Sequence, residues 1–311
     1  MIKGSVLPVK PHSKKRPSWA EKYLIYEGLL NERFIGQEQA CRELAGIVAS
    51  FINLMTMDKT IARDLLAPRV IISGGTSQGK TSMSMAIADF LNCPYSIINC
   101  GAITPEGYKG TNISDGLFQM VQSHGQEEVE AGSILIIDEF CKLIQRSKQD
   151  PFYQSCIYNL LGILGGEKIL INPKDDSIGG PVLLDTKKII VILCGIFKGV
   201  PQRAWSNQKN SINGLIKFGF PDELMGRISH IIALKKLMKS DVAQIVGREF
   251  EKIMPLYQTG KISFDLPLSE MKKITNEVYS GPLGIRYAKM LLHQKMYDVA
   301  QKTAIDDMFN P

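Results

Sequence analysis

The sequence predicts a doubly wound α/β domain built on a parallel sheet, followed by a smaller, mainly helical domain. Three observations carry this. Short runs nearly continuous in Ile, Leu and Val recur at Val70–Ser73, Tyr95–Asn99, Ser133–Asp138, Lys188–Cys194 and His230–Leu234. Strands buried on both faces of a parallel sheet read this way. Stretches with helical spacing of apolar residues lie between them, as crossover helices require. After Leu234 the aliphatic runs stop and amphipathic helical patterns take over.

Taken in order, the first thirty or so residues combine Pro, Ser and a basic run at Lys14, Lys15 and Arg16, and read as a solvated or docking arm. Gln37 to Leu54 carries apolar residues at helical spacing. The strand at Val70 runs into a glycine loop and then a helical stretch, TSMSMAIADFL. Beyond Leu234, SDVAQIVGREFEKIM has helical period with Ser240 as its N-cap. A short strand at Lys261–Leu266 and helices over Leu268–Tyr279 and Gly284–Gln301 complete the chain. The expected division is a basic arm over 1–30, a large α/β domain over 31–234 and a small helical domain over 235–311.

Composition narrows the classes. The 311 residues carry 37 Lys+Arg against 31 Asp+Glu, a net charge of +6 that is too small by itself to mark a nucleic-acid binder. At 44% hydrophobic and 22% charged residues the chain is of ordinary globular composition. No apolar run reaches the roughly 18 residues of a membrane span, and the N-terminus lacks the apolar core of a signal peptide. Six cysteines without a C-x-x-C pair read as reduced thiols in a cytoplasmic protein, with no metal site. The four histidines are too dispersed for a metal constellation, and no protease arrangement is suggested by spacing.

Chemistry enters at Gly74-Gly75-Thr76-Ser77-Gln78-Gly79-Lys80-Thr81, which fits G-x-x-x-x-G-K-[ST] between a predicted strand and a predicted helix. Glycines let the backbone wrap close to phosphates with N–H groups turned inward, and the following helix adds the positive end of its dipole. Lys80 supplies a compact charge to the β- and γ-phosphates, and the Thr81 hydroxyl ligates Mg²⁺. Later, Ile134–Ile137 leads into Asp138 and Glu139. Such a strand ending is common alone, but together with the loop it places Asp138 beside the metal and Glu139 toward the attacking water. ATP with Mg²⁺ is the expected ligand pair.

Several segments in order then resemble the ClpX/HslU branch of the AAA+ ATPases, and ClpX within it. FIGQEQA (34–40) is similar to a box whose backbone, around Ile35, lies against adenine. ILCGIF (192–197), IKFGFPDELMGR (216–227), GPLGIR (281–286) and MYD (296–298) follow. The resemblance covers about Asn31 to Ala300. It implies a homo-oligomeric ring, a hexamer, with ATP between neighbours and Arg227 as an arginine finger reaching the next subunit's γ-phosphate; the plainer reading of Arg227 is a surface arginine at a helix end. Gly107-Tyr108-Lys109-Gly110 matches the aromatic pore loop, with Tyr108 and Lys109 toward a threaded polypeptide. Local packing of Tyr108 in a surface turn is the alternative.

Departures from the family pattern sharpen the expectation. Only the basic arm stands where ClpX carries an N-terminal zinc-binding domain, and Lys198–Lys217 replaces the insertion with the peptidase-docking tripeptide. The first implies different adaptor and substrate recognition; the second argues for remodelling without a ClpP-type partner. Leu283 occupies the sensor-2 arginine position, leaving Arg286, one turn on, as its partial substitute; Cys194 is the nearest sensor-1 candidate. The second pore-loop region, DPFYQS (150–155), lacks the family's arginine, and Phe152 and Tyr153 serve either as grips or as packing. The leading expectation is therefore an ATP-driven protein remodeller or unfoldase. The alternatives are a nucleic-acid loader or motor that uses the basic arm, and an ATP-dependent assembly switch.

Overall fold

The computed structural model describes residues 17–58, 60–104, 112–172, 180–257 and 266–309. Helices α1 (Trp19–Arg33) and α2 (Glu38–Thr56) precede strand β1 (Arg69–Ser73), which leads into α3 (Lys80–Leu91). Strand β2 (Tyr95–Asn99), helices α4 (Ile113–His124) and α5 (Gln126–Ala131), β3 (Ser133–Asp138), α6 (Phe140–Ser147) and α7 (Pro151–Leu164) follow. Next come β4 (Lys168–Ile171), β5 (Val182–Asp185) and β6 (Ile189–Gly195), then α8 (Gln208–Phe218), α9 (Asp222–Met225) and β7 (His230–Ala233). Three helices end the chain: α10 (Lys239–Ile253), α11 (Leu268–Ser280) and α12 (Ile285–Phe309).

The main sheet is parallel with order β2-β3-β6-β1-β7. Alternation explains why its central strands are continuously aliphatic, because successive side chains enter opposite cores. Ile71, Leu135, Ile137, Val191 and Leu193 face the layer holding α4, α6 and α7. Val70, Ile72, Ile134, Ile136, Ile190 and Ile192 face the layer of α2 and α3. The edge strands differ from the expectation of burial on both faces. Tyr95 and Ile97 of β2 are exposed, and so is His230 of β7, because each edge strand lacks a neighbour and full helix cover on one side. The helices α10–α12 enclose a core of their own around Val246, Ala288, Leu292 and Met296. This α/β P-loop fold with a helical C-terminal part is the fold class the sequence predicts.

Three corrections concern local elements. Trp19–Arg33, read as part of a solvated arm, is a 15-residue helix. Ser18 and Glu21 form a capping box at its start, Trp19 Nε1 donates to Ser50 Oγ at 3.1 Å, and Leu30 is fully buried against α2. The remainder of the arm, with Lys14, Lys15 and Arg16, lies outside the described residues, as does Lys261–Phe264 of the predicted small strand together with Asp265. The antiparallel pair β4–β5 is not among the strands the sequence predicts; its four-residue strands show only partial alternation of apolar residues. Helix α10 starts at Lys239, capped by the Asp241 carboxylate accepting the Met238 N–H at 2.7 Å, so Ser240 lies inside the helix.

One buried cation ties the layers together. Arg69 is 2% exposed, and its guanidinium donates to the carbonyls of Ala67, Ile163, Leu164, Thr186 and Ile189. Two of those carbonyls end α7, where the helix dipole favours a cation. Burial pushes the guanidinium down to about 10, still charged at neutral pH. Arg69→Met would leave these carbonyls without their donor, and is expected to lower stability by about 3 kcal/mol or more. A lowered midpoint in urea unfolding, at unchanged slope, checks this.

Candidate functional site

The phosphate loop spans the gap from the end of β1 to α3. Gly79, at φ +95°, is the N-cap of α3, so a left-handed residue without a side chain opens the helix N-terminus to the cleft. Lys80 Nζ donates to the carbonyls of Gly74 at 2.9 Å and Gly75 at 2.8 Å. Gln78 folds back, its Oε1 accepting the Gly75 N–H at 2.5 Å. That fold explains Gly74: a Cβ there would lie 2.9 Å from Gln78 Oε1 and 3.0 Å from the Leu234 Cβ. The loop thus closes on itself, with its lysine and one amide held by internal partners. Burial lowers the Lys80 ammonium below the ordinary lysine value, an effect opposed in part by the Asp138 carboxylate.

Strand β3 delivers the carboxylates. Thr81 Oγ1, in the first turn of α3, donates to Asp138 Oδ2 at 2.6 Å, and Asp138 Oδ1 accepts the Glu139 N–H at 2.8 Å. Glu139 is the N-cap of α6 at φ +54°, an uncommon backbone region for a glutamate. Its Oε2 pairs with Lys142 Nζ at 2.7 Å, and its side chain is 39% exposed. Parallel pairing sets Asn99 of β2 beside Asp138, and Asn99 Oδ1 accepts the Gly101 N–H at 2.7 Å.

The opposite wall comes from the segment between α1 and α2 and from the C-terminal helices. Ile35 lines the cleft together with Thr76, Ser77, Gln78, Gly79, Lys80, Thr81, Asp138, Glu139 and Arg286. Gln37, 3% exposed, clasps Lys235: its Nε2 donates to the Lys235 carbonyl at 2.8 Å and its Oε1 accepts the Lys235 N–H at 2.9 Å. This pair of hydrogen bonds joins the Ile35 segment to the connection between β7 and α10. The cleft holds about 810 Å³, within the size range of small-molecule sites. Arg33, Lys80, Lys142, Lys198, Lys252, Arg286 and Lys289 line it against three carboxylates, Asp138, Glu139 and Glu249. That excess of cations suits a polyanion.

Gly74 and Gly75 border an adjoining hollow that also reaches Phe197 and Trp205. Arg286 therefore reaches the cleft from α12, whereas the Leu283 side chain is exposed. Arg227 does not line this protomer's own cleft: its Nη1 donates to the Leu161 carbonyl near the end of α7 and lies 3.7 Å from Glu167 Oε1. Cys194 is fully buried 3.5 Å from Ser84 Oγ, and burial pushes its thiol up to about 12, so it offers no exposed polar contact of the kind a sensor-1 residue needs. Phe152 and Tyr153 pack on the core, Tyr153 under the Arg146 guanidinium at 5.3 Å, which favours packing over gripping. Tyr108 and Lys109 lie outside the described residues. Sequence reasoning overlooked Gln37 and Asn99, and for Gln78, which it placed in the loop, the bond back to Gly75, because an amide side chain carries no motif until its partner is in place.

Residues 70–197 match the model of the ATPase family associated with various cellular activities (AAA). The chain is 27% identical to the ATP-dependent Clp protease ATP-binding subunit ClpX of Treponema denticola, over 86% of this chain and 74% of that protein. It is 23% identical to ClpX of Bacteroides thetaiotaomicron, over 87% of this chain and 74% of that protein. The chain is a ClpX-like AAA+ ATPase. It is also 24% identical to ClpX 2 of Wolinella succinogenes, over 74% of this chain and 63% of that protein. A ClpX-like AAA+ ATPase binds and hydrolyses ATP, and the cation-rich cleft among the described residues has the size and charge to hold a nucleotide.

Proposed function

We propose that the chain is the motor of an ATP-driven protein remodeller, acting as a homo-oligomeric ring and without a peptidase of its own. The observation that carries this is the convergence of Lys80, the Thr81–Asp138 pair and Glu139 at the end of the parallel sheet, under Arg286. Lys80, with the amides that open α3, would bind the triphosphate. Hard oxygen donors from Thr81 and Asp138, 2.6 Å apart, fit Mg²⁺, which when bound would neutralise charge on the phosphates. Glu139 would orient the attacking water and accept its proton. Arg227, outside its own protomer's cleft, would act on the neighbour's ATP.

The relatives are named as ATP-binding subunits of Clp protease, which supports a polypeptide as the substrate. The segment over Lys198–Lys217 includes most of α8 and contains no I-G-F-type tripeptide, which supports work without a ClpP-type peptidase. No described helix is long and apolar enough to cross a membrane, and all six cysteines are free, which fits a reducing, cytoplasmic compartment.

Glu139→Gln protein held in ATP should capture its substrate for identification by mass spectrometry. Turnover of the unaltered chain should rise with that protein. A rise with DNA, falling steeply with salt, would replace this reading by a nucleic-acid motor. Tyr108→Ala is expected to abolish remodelling and substrate-stimulated turnover, because an aromatic tip supplies sequence-tolerant adhesion to a chain. Undiminished remodelling by that variant would remove Tyr108 from the channel.

A further inference from the structure

We infer that Ser77 is a positioning residue that latches the phosphate loop to the helical C-terminal part and so holds Arg286 over the cleft before ATP arrives. The inference rests on reading that cleft as the ATP site. Ser77 Oγ donates to the Leu283 carbonyl at 2.9 Å, across 206 positions of sequence. Gly284 follows, and α12 begins at Ile285, so the bond grips the residues that launch the helix carrying Arg286. The approach is close on both sides. Gly284 has φ +54°, and a Cβ on it would lie 3.2 Å from the Ser77 Cβ.

The backbone supplies a second, independent observation. Among the described residues, three non-glycine residues have positive φ: Ser77 at 60°, Asn92 at 47° and Glu139 at 54°. Asn92 caps the end of α3, where a left-handed asparagine is ordinary. The other two both line the ATP cleft. Uncommon conformations of this kind persist where the surroundings over-determine them, and they cluster at ligand clamps. Glycine would take the Ser77 conformation without steric cost, so a serine there calls for a use of its hydroxyl. The bond to Leu283 is that use.

The latch does not depend on the side chain at the sensor-2 position, where Leu283 is exposed. A backbone carbonyl makes the contact to the loop there, and the charge comes from Arg286 three residues later. With the helical part already docked, ATP need not order it on binding, and a preorganised site binds more tightly. Movement of the phosphate loop, conversely, is passed directly to α12.

Hydrogen exchange on the full chain, without nucleotide, tests the latch. Ser77→Gly relaxes the backbone and removes the donor. It is expected to speed amide exchange over residues 284–288 by about three- to tenfold, the range of one neutral hydrogen bond. The Kd of a fluorescent ATP analogue should rise by a similar factor, with KM rising more than kcat falls. Ser77→Asn keeps a donor and tolerates the left-handed region, so its exchange should lie closer to that of the unaltered chain. Unchanged exchange over 284–288 in Ser77→Gly overturns the latch even if binding weakens, because damage confined to the loop moves affinity alone. Failure of the unaltered chain to bind the analogue would instead overturn the reading of the cleft, and leaves the exchange result to stand on its own.

Discussion

Arg227→Ala is expected to lower ATP turnover of the assembled protein by about 10³- to 10⁵-fold, the effect of an arginine that stabilises transition-state charge in phosphoryl transfer. In the protomer its guanidinium rests on the Leu161 carbonyl and near Glu167, at the end of α7 and away from its own cleft. The loss should therefore reside in the neighbour's site. Mixing tests that directly. A Lys80→Ala subunit has a dead site and an intact arginine, and an Arg227→Ala subunit has the reverse. Mixed assemblies should recover turnover that neither variant shows alone. No recovery on mixing, or equal turnover per subunit above and below the concentration of assembly, would show that Arg227 does not act across an interface.

Glu139→Gln is expected to reduce turnover by about 10²- to 10⁴-fold, the span of general base catalysis, while ATP still binds. The substitution keeps the shape of the side chain at the left-handed N-cap of α6, so the backbone at φ +54° is left as it is. It removes the proton acceptor and weakens the pair with Lys142, now 2.7 Å away. Phosphate release, measured beside the affinity for a fluorescent ATP analogue, separates the two effects. Turnover equal to that of the unaltered chain would place the base elsewhere. Lost affinity together with lost turnover would mean that Glu139 supports the cleft and does not act on water.

The central strands were legible because they answer to local rules. An aliphatic run such as Ile134–Ile137 states its own burial, since both of its faces must be covered. The edge strand β2 has the same kind of letters, yet Ile97 is exposed, because burial depends on what neighbours the strand and not on the strand. Helix α1 was obscured by the Pro- and Lys-rich residues before it. Its Ser18–Glu21 box is a sequence signal, but its docking depends on α2.

At the cleft the same division holds. The amino acids alone determined the phosphate loop, the Asp138–Glu139 strand ending and the order of segments that resemble ClpX, because each is a contiguous pattern whose spacing is its chemistry. Only the folded chain decided that Thr81 meets Asp138, that Gln37 clasps Lys235, that Ser77 reaches Leu283, and that Arg286 enters the cleft while Arg227 stays outside it. Those contacts join residues 57 to 206 positions apart. Hydrogen bonds of a few ångströms over such separations are set by how helices and sheet pack, and no local pattern of side chains records that packing.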